Sequence, residues 1–159
     1  MGGAGGGAGT VPGSPLDPAS LHLTLVFLGA TEQRHIAHVT VALAEVATAA
    51  RPFDVSLGAG SGWVGARRGG VAWLQVVVGS DQLARLAQQL DKRLSGLRAG
   101  RINPPHLTVA RGVDDAALAD LKQSRTASGI GWRVERIGLW RSHTAPRGVA
   151  YEEIAGAWI

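Results

Sequence analysis

The sequence predicts an α+β fold of two lobes related by a pseudo-two-fold axis. Each lobe is a duplicated strand–helix–strand–strand unit, with antiparallel sheets around a central cleft. Three observations carry this. The 159 residues are 45% hydrophobic and 18% charged, the make-up of a single globular domain with its own core. Apolar periodicity alternates between two and three-to-four residues, so strands interleave with three helices. The tetrapeptide His22-Leu23-Thr24-Leu25 returns as His106-Leu107-Thr108-Val109, and each copy opens a strand that a helix follows.

In chain order, residues 1–20 are rich in Gly, Pro and Ser and have no period, and they read as a flexible tail. Gly3-Ala4-Gly5 does not make a nucleotide loop, because no strand precedes it and no Gly-Lys-Ser/Thr follows. Residues 21–28 (LHLTLVFL) alternate as a strand, with Leu21, Leu23, Leu25 and Phe27 on one face and His22, Thr24, Val26 and Leu28 on the other. Residues 32–50 read as a helix through Ile36, Val39, Leu43 and Val46, and Pro52 marks its end. Phe53 to Leu57 alternates as a strand, and residues 58–70 (GAGSGWVGARRGG) read as a loop. Val71 to Val78 is a buried strand. Ser80 is read as the cap of a second helix with the stripe Leu83, Leu86, Leu90, Leu94 and Leu97. After Pro104-Pro105 comes a strand over 106–111. Asp114 opens a third helix with Leu118 and Leu121, and strands follow over 132–141 and 150–159.

Several chemistries are excluded. The chain has no cysteine, so it has no disulfide, thiolate metal site, iron–sulfur cluster or Cys nucleophile. No apolar run approaches the roughly 18 residues of a membrane span. Nor does the N-terminus have the basic start and apolar stretch of a signal peptide, so a cytoplasmic location is expected. Sixteen basic residues against twelve acidic give a net charge of +4. That surplus favours anionic partners such as nucleic acid or nucleotides. The basic residues are dispersed, however, and a GC-rich coding sequence would raise Arg, Ala and Gly together.

The repeated motif has a chemical rationale. Residues i and i+2 of a strand share a face, so His22 stands beside Thr24 and His106 beside Thr108. Pairing two such strands across a two-fold axis brings two imidazoles and two hydroxyls into one cleft. Imidazole takes or gives a proton near neutral pH, and hydroxyls donate to phosphoryl oxygens. One histidine as base, one as acid and donors between them could split a phosphodiester without metal. The plain alternative is that each His is a half-buried strand residue and each Thr is present for β-propensity. For one motif alone that alternative is the better one, and repetition in matched context reverses it.

The two motifs with their flanks, LHLTLVFLG and PHLTVAR, resemble the paired HxTx motifs of the two-histidine phosphoesterases. The similarity is greatest to the RNA 2′,3′-cyclic phosphodiesterase branch, the LigT/ThpR-like "2′-5′ RNA ligase" proteins. GAGSGW followed by VAWLQVVV resembles the middle of that branch, and Tyr151 near the start of the last strand also fits. The resemblance spans residues 21–159, which are expected to form one bilobal domain. Family members usually begin with an apolar strand and a helix before the first motif. Here residues 1–20 stand in that place, so the first lobe is expected to lack those two elements and to expose a sheet edge.

The resemblance implies that the activity is hydrolysis of RNA 2′,3′-cyclic phosphate ends to 2′-phosphomonoesters. His106 would be the general base that activates water, His22 the acid that protonates the departing 3′ oxygen, and Thr24 and Thr108 the donors to the phosphoryl oxygens. The expected partner is RNA with such ends, with no membrane, no cofactor and no metal, and a monomer is expected. Alternatives are another cyclic phosphodiester or a 2′-5′-linked oligonucleotide as substrate, or a non-catalytic protein that binds RNA ends.

Further candidates lie outside the repeated motif. Simple alternation turns Arg111 to the strand face opposite His106 and Thr108, so it contacts substrate only if a twist or bulge re-aims it. Trp63, in the glycine-rich segment, is a candidate for stacking on a base, against a packed loop residue. Arg67 and Arg68 read as a solvated turn with a possible RNA-backbone contact. His35 and His38 stand three apart on the first helix. With no HExxH pattern or carboxylate neighbours they read as surface or packing residues rather than metal ligands. No role is assigned to His143.

Overall fold

The computed structural model describes residues 14–65, 69–123, 129–145 and 148–159. It contains two antiparallel sheets and three α-helices. The strands are β1 (Ser14–Pro15), β2 (Phe53–Gly65), β3 (Gly69–Val78), β4 (His106–Val113), β5 (Gly131–Val134), β6 (Arg136–Ala145) and β7 (Gly148–Trp158). The helices are α1 (Ile36–Thr48), α2 (Ser80–Arg93) and α3 (Asp115–Gln123). One sheet has the order β1-β4-β3-β2-β5, and the other is the β6-β7 pair.

The helices follow their stripes. In α1, Val39, Ala42, Leu43, Val46 and Ala47 are buried, and in α2, Leu83, Leu86, Ala87 and Leu90. Those two stripes meet and close on Ile137 of β6 to form one core. Leu83 reaches a second core with Val55, Leu57, Val76 and Leu107 on the inner face of the five-stranded sheet. The third core lies under α3, where Ala117 and Leu118 cover Ala72, Ala110 and Val113. The α3 start is capped as expected, with the Ala117 N–H donating to Asp114 Oδ1 at 2.8 Å. At α2 the capping position is Gly79 in the left-handed region (φ 79°) rather than Ser80, which is the first helical residue. Asp81 in the first turn and Lys92 and Arg93 in the last complement the helix dipole.

The lobes do not follow the repeats one for one. The strands after the first motif, β2 and β3, join the sheet that holds the second motif's strand, β4. The strands late in the second half, β6 and β7, pack on α1 from the first. Each lobe is therefore assembled from both halves of the chain.

Four local expectations are corrected. Residues 14–20 are not tail. Ser14 and Pro15 pair with Arg111 and Ala110, and residues 18–20 form a 3₁₀ turn whose start is capped by Asp17. The remainder of the expected tail, residues 1–13, lies outside the described residues.

Residues 21–28 are not a strand. Among the described residues their only ladder contact is the antiparallel bridge of Leu23 to Leu107, joined by a bond from Ala99 N–H to the Phe27 carbonyl at 2.8 Å. The 3₁₀ turn interrupts the pairing begun by β1, and the chain returns to β4 at Leu23. The apolar alternation is nonetheless satisfied, because Leu23, Leu25, Val26 and Leu28 pack on the cores.

The glycine-rich segment is not a loop but the far half of a long β2–β3 hairpin. Side chains at Gly60 and Gly62 would collide with Leu121 and Leu118 of α3, so these glycines mark close helix–sheet approach. Residues 132–141 divide at Glu135 into β5 and β6, which belong to different sheets.

Candidate active site

The bridge between Leu23 and Leu107 sets the geometry of the two motifs. In an antiparallel pair the residue numbers of partners sum to a constant. His22 therefore stands opposite Thr108, and Thr24 opposite His106. Directly opposed residues point to the same side, so all four polar side chains share one face. Leu107 turns the other way into a core, and Leu23 packs against the same cluster. The polar face is open: His22 and Thr24 are exposed, and His106 and Thr108 are half-buried. Across such a register the two histidines are diagonal neighbours, roughly 7–8 Å apart with their Cβ atoms somewhat closer.

Both imidazoles are anchored in the same way. His22 Nδ1 donates to the Ser20 carbonyl at 2.7 Å, and His106 Nδ1 donates to the Pro104 carbonyl at 2.8 Å. A carbonyl only accepts, so Nδ1 carries the hydrogen in each ring and Nε2 is the free nitrogen. Neutral, Nε2 accepts a proton; as imidazolium, it donates one. Each ring also has an aromatic neighbour. Tyr151 of β7 meets His22 edge-on, with centroids 4.7 Å apart, and Trp73 of β3 tilts against His106 at 5.7 Å.

The Arg111 expectation from simple alternation is overturned by a bulge. On β3, Trp73 pairs with Thr108 but Ala72 pairs with Ala110, so Val109 is an extra residue in β4. Beyond it the faces exchange: Arg111 pairs with Val71, on the same face as Trp73 and hence as His106 and Thr108. A second irregularity follows at Gly112, whose φ is +70°. Trp63 pairs with Val71, which puts it on the same face in the row of Arg111, and it is 55% exposed. Two strand spacings separate it from β4, roughly 10 Å. It is thus a strand residue at the edge of the candidate site.

Three neighbours were not singled out as site residues from sequence: Trp73, Gln75 (paired with His106) and Tyr151. Only the pairing of strands distant in sequence identifies them. Arg67 and Arg68 lie outside the described residues. His38 has a packing role, its Nε2 bonding the Arg93 carbonyl at 3.0 Å between α1 and α2. The Nε2 of His35 accepts from Arg34. Among the described residues, no three His, Asp or Glu side chains are grouped to hold a metal ion.

A cavity of ≈ 860 Å³ opens beside the first motif, between residues 19–29 and residues 136–142 of β6. It takes in His22, Thr24, Arg111 and Tyr151, over an apolar floor that includes Val39, Leu43 and Leu90. His106 and Thr108 stand outside its lining, so the polar face and the cavity adjoin without coinciding.

A family model described as the 2′-5′ RNA ligase superfamily matches residues 13–146. An RNA 2′,3′-cyclic phosphodiesterase of Archaeoglobus fulgidus is 27% identical over 143 residues, covering 87% of this chain and 80% of the relative. Among solved structures, a protein of Thermus thermophilus superposes with a TM-score of 0.76 at 24% identity, covering 91% of this chain and 81% of that one. LigT of E. coli, complexed with 3′-AMP, superposes with a TM-score of 0.75 at 21% identity, covering 92% and 80%. These likenesses bear out the α+β fold. No helix among the described residues is long and apolar enough to cross a membrane.

Proposed function

The chain belongs to the 2′-5′ RNA ligase superfamily, and we propose that within it the chain hydrolyses RNA 2′,3′-cyclic phosphate ends to 2′-phosphomonoesters. One observation carries the proposal: the Leu23–Leu107 bridge, with both histidines held by Nδ1 on backbone carbonyls. It leaves two free Nε2 atoms on one open face with a hydroxyl beside each. The relative named an RNA 2′,3′-cyclic phosphodiesterase and the LigT structure complexed with 3′-AMP support a nucleotide phosphate as the ligand.

The reaction begins with His106 neutral and His22 as imidazolium. Nε2 of His106 takes a proton from water as the water oxygen bonds to phosphorus. The bond from phosphorus to the 3′ oxygen breaks, and Nε2–H of His22 protonates that oxygen. The product carries a 2′-phosphate and a 3′ hydroxyl. Thr24 and Thr108 donate to the non-bridging oxygens as charge builds on them, where positioned donors count most. Arg111, on the same face, supplies a charged donor pair to the same oxygens. Proton exchange with solvent resets both rings. Which ring is acid and which is base follows the family resemblance, since the two anchors are alike.

The test is an oligonucleotide ending in a 2′,3′-cyclic phosphate, incubated with the protein in the presence of EDTA. The expected product is the 2′-monoester alone. A 3′-monoester, or turnover only after a divalent ion is added, would overturn the mechanism.

A further inference from the structure

The β6–β7 sheet has one face packed on α1 through Ile137, Leu139 and Ala157. Its other face begins at the cavity beside His22 and carries the exposed Trp140 and Trp158. In the register, Ser142 pairs with Tyr151, Trp140 with Glu153, Gly138 with Gly156 and Arg136 with Trp158. A one-residue irregularity at Ile154 keeps all of these on one face. Tyr151 is the residue that meets His22 edge-on. The face is therefore continuous with the candidate active site and extends from it for six residues of β6, roughly 20 Å.

The surface along that path is aromatic, and its near end, Trp140, Ser142 and Tyr151, lines the cavity beside His22. Trp140 is 52% exposed and Trp158 72%. The indole of Trp140 lies across Gly138, and the Arg136 guanidinium, paired with Glu153, lies across Gly156. The glycines let the planar groups lie down against the sheet. The guanidinium also stands 5.8 Å from the Trp158 ring centroid. Exposed aromatics gathered on one face mark an interaction surface. Planar rings laid along a sheet are how single-stranded nucleic acid is held with little regard to sequence.

We propose that the face from Trp140 to Trp158 binds the single-stranded nucleotides on the 5′ side of the reacting end, which makes an oligonucleotide rather than a mononucleotide the preferred substrate. This rests on the function proposed above. Continuity with Tyr151 and His22 identifies the occupant: whatever places a terminal phosphate between the histidines has its next residues beside this face. The Arg136–Glu153 pair is internally compensated, so the attraction of this face is stacking.

The experiment compares kcat/KM on a nucleoside 2′,3′-cyclic monophosphate with that on a pentanucleotide ending in the same group. In parallel, fluorescence anisotropy measures binding of a 5′-labelled pentanucleotide that ends in a 2′-phosphate, which needs no turnover. The pentanucleotide is expected to be favoured by at least about tenfold in kcat/KM. W158A is expected to lose about tenfold in pentanucleotide affinity while the mononucleotide rate stays within twofold, and W158F is expected to keep most of the affinity. Equal kcat/KM on the two substrates, with affinity unchanged in W158A, would overturn the proposal and leave the reaction intact. If neither substrate turns over, the reaction reading fails, and anisotropy still decides the surface. A dimer at micromolar concentration that W158A dissociates would assign the face to a second copy of the chain and overturn the proposal.

Discussion

Arg111 faces the polar cleft only because Val109 is an extra residue in β4, and its removal is the sharpest test of how the site is built. Arg111 stands one pleat beyond Thr108, roughly 7 Å along the strand. The fork of a guanidinium suits two phosphoryl oxygens at once. A hydrogen bond to a charged group contributes about 1.5–3 kcal/mol. If that is realised in the transition state, Arg111→Ala lowers kcat/KM roughly 10- to 150-fold. Arg111→Lys, which keeps the charge but loses the fork, falls between the two. Stability is expected to hold within about 0.5 kcal/mol, because the side chain is exposed and makes no ion pair among the described residues. The assay is steady-state hydrolysis of a nucleoside 2′,3′-cyclic monophosphate, with thermal melts of all three proteins alongside. A kcat/KM for Arg111→Ala within twofold of the parent, with an unchanged melt, would show that the bulge does not serve phosphate binding.

Replacement of either histidine by alanine is expected to lower kcat by about 10²–10⁴-fold. The parent profile against pH is expected to be bell-shaped. His106→Ala should lose the acid limb, where the base must shed its proton, and His22→Ala the alkaline limb, where the acid must keep it; identical bells in both variants would refute the roles. Thr24→Val and Thr108→Val, measured by kcat at saturating substrate, should each cost about 10-fold or more through one lost donor; no loss in either would remove the hydroxyls from the mechanism. Leu90→Ala empties a site shared by α1 and α2 and should destabilise by about 2–5 kcal/mol in urea titration; a change under about 1 kcal/mol would mean that this core is loosely packed.

What the sequence made legible was local. The helices of Val39–Val46 and Leu83–Leu90 follow from their stripes, and the two histidine motifs from their repetition. What it hid was pairing. Alternation over residues 21–28 specifies which side chains are apolar but not whether a neighbouring backbone lies within reach, and among the described residues only Leu23 and Phe27 find one. The glycines at 60 and 62 look like loop residues until α3 is seen resting on them. The Val109 bulge has no signature in the residues around it, yet it decides the face of Arg111. Trp73 and Tyr151 reach the histidines through contacts between distant strands.

The interleaving of the two halves has a consequence for how the protein is made. Helix α1 ends at Thr48, and the strand that caps its core begins at Arg136. At 5–20 residues per second, a ribosome needs roughly 4–18 s to synthesise the chain between them. Throughout that interval the α1 stripe has α2 and Phe53 of β2 but neither β6 nor β7 to cover it, and His22 lacks its Tyr151 neighbour. The cleft is thus completed only as the last strands emerge, and a chain stalled before residue 136 leaves part of the α1 stripe uncovered.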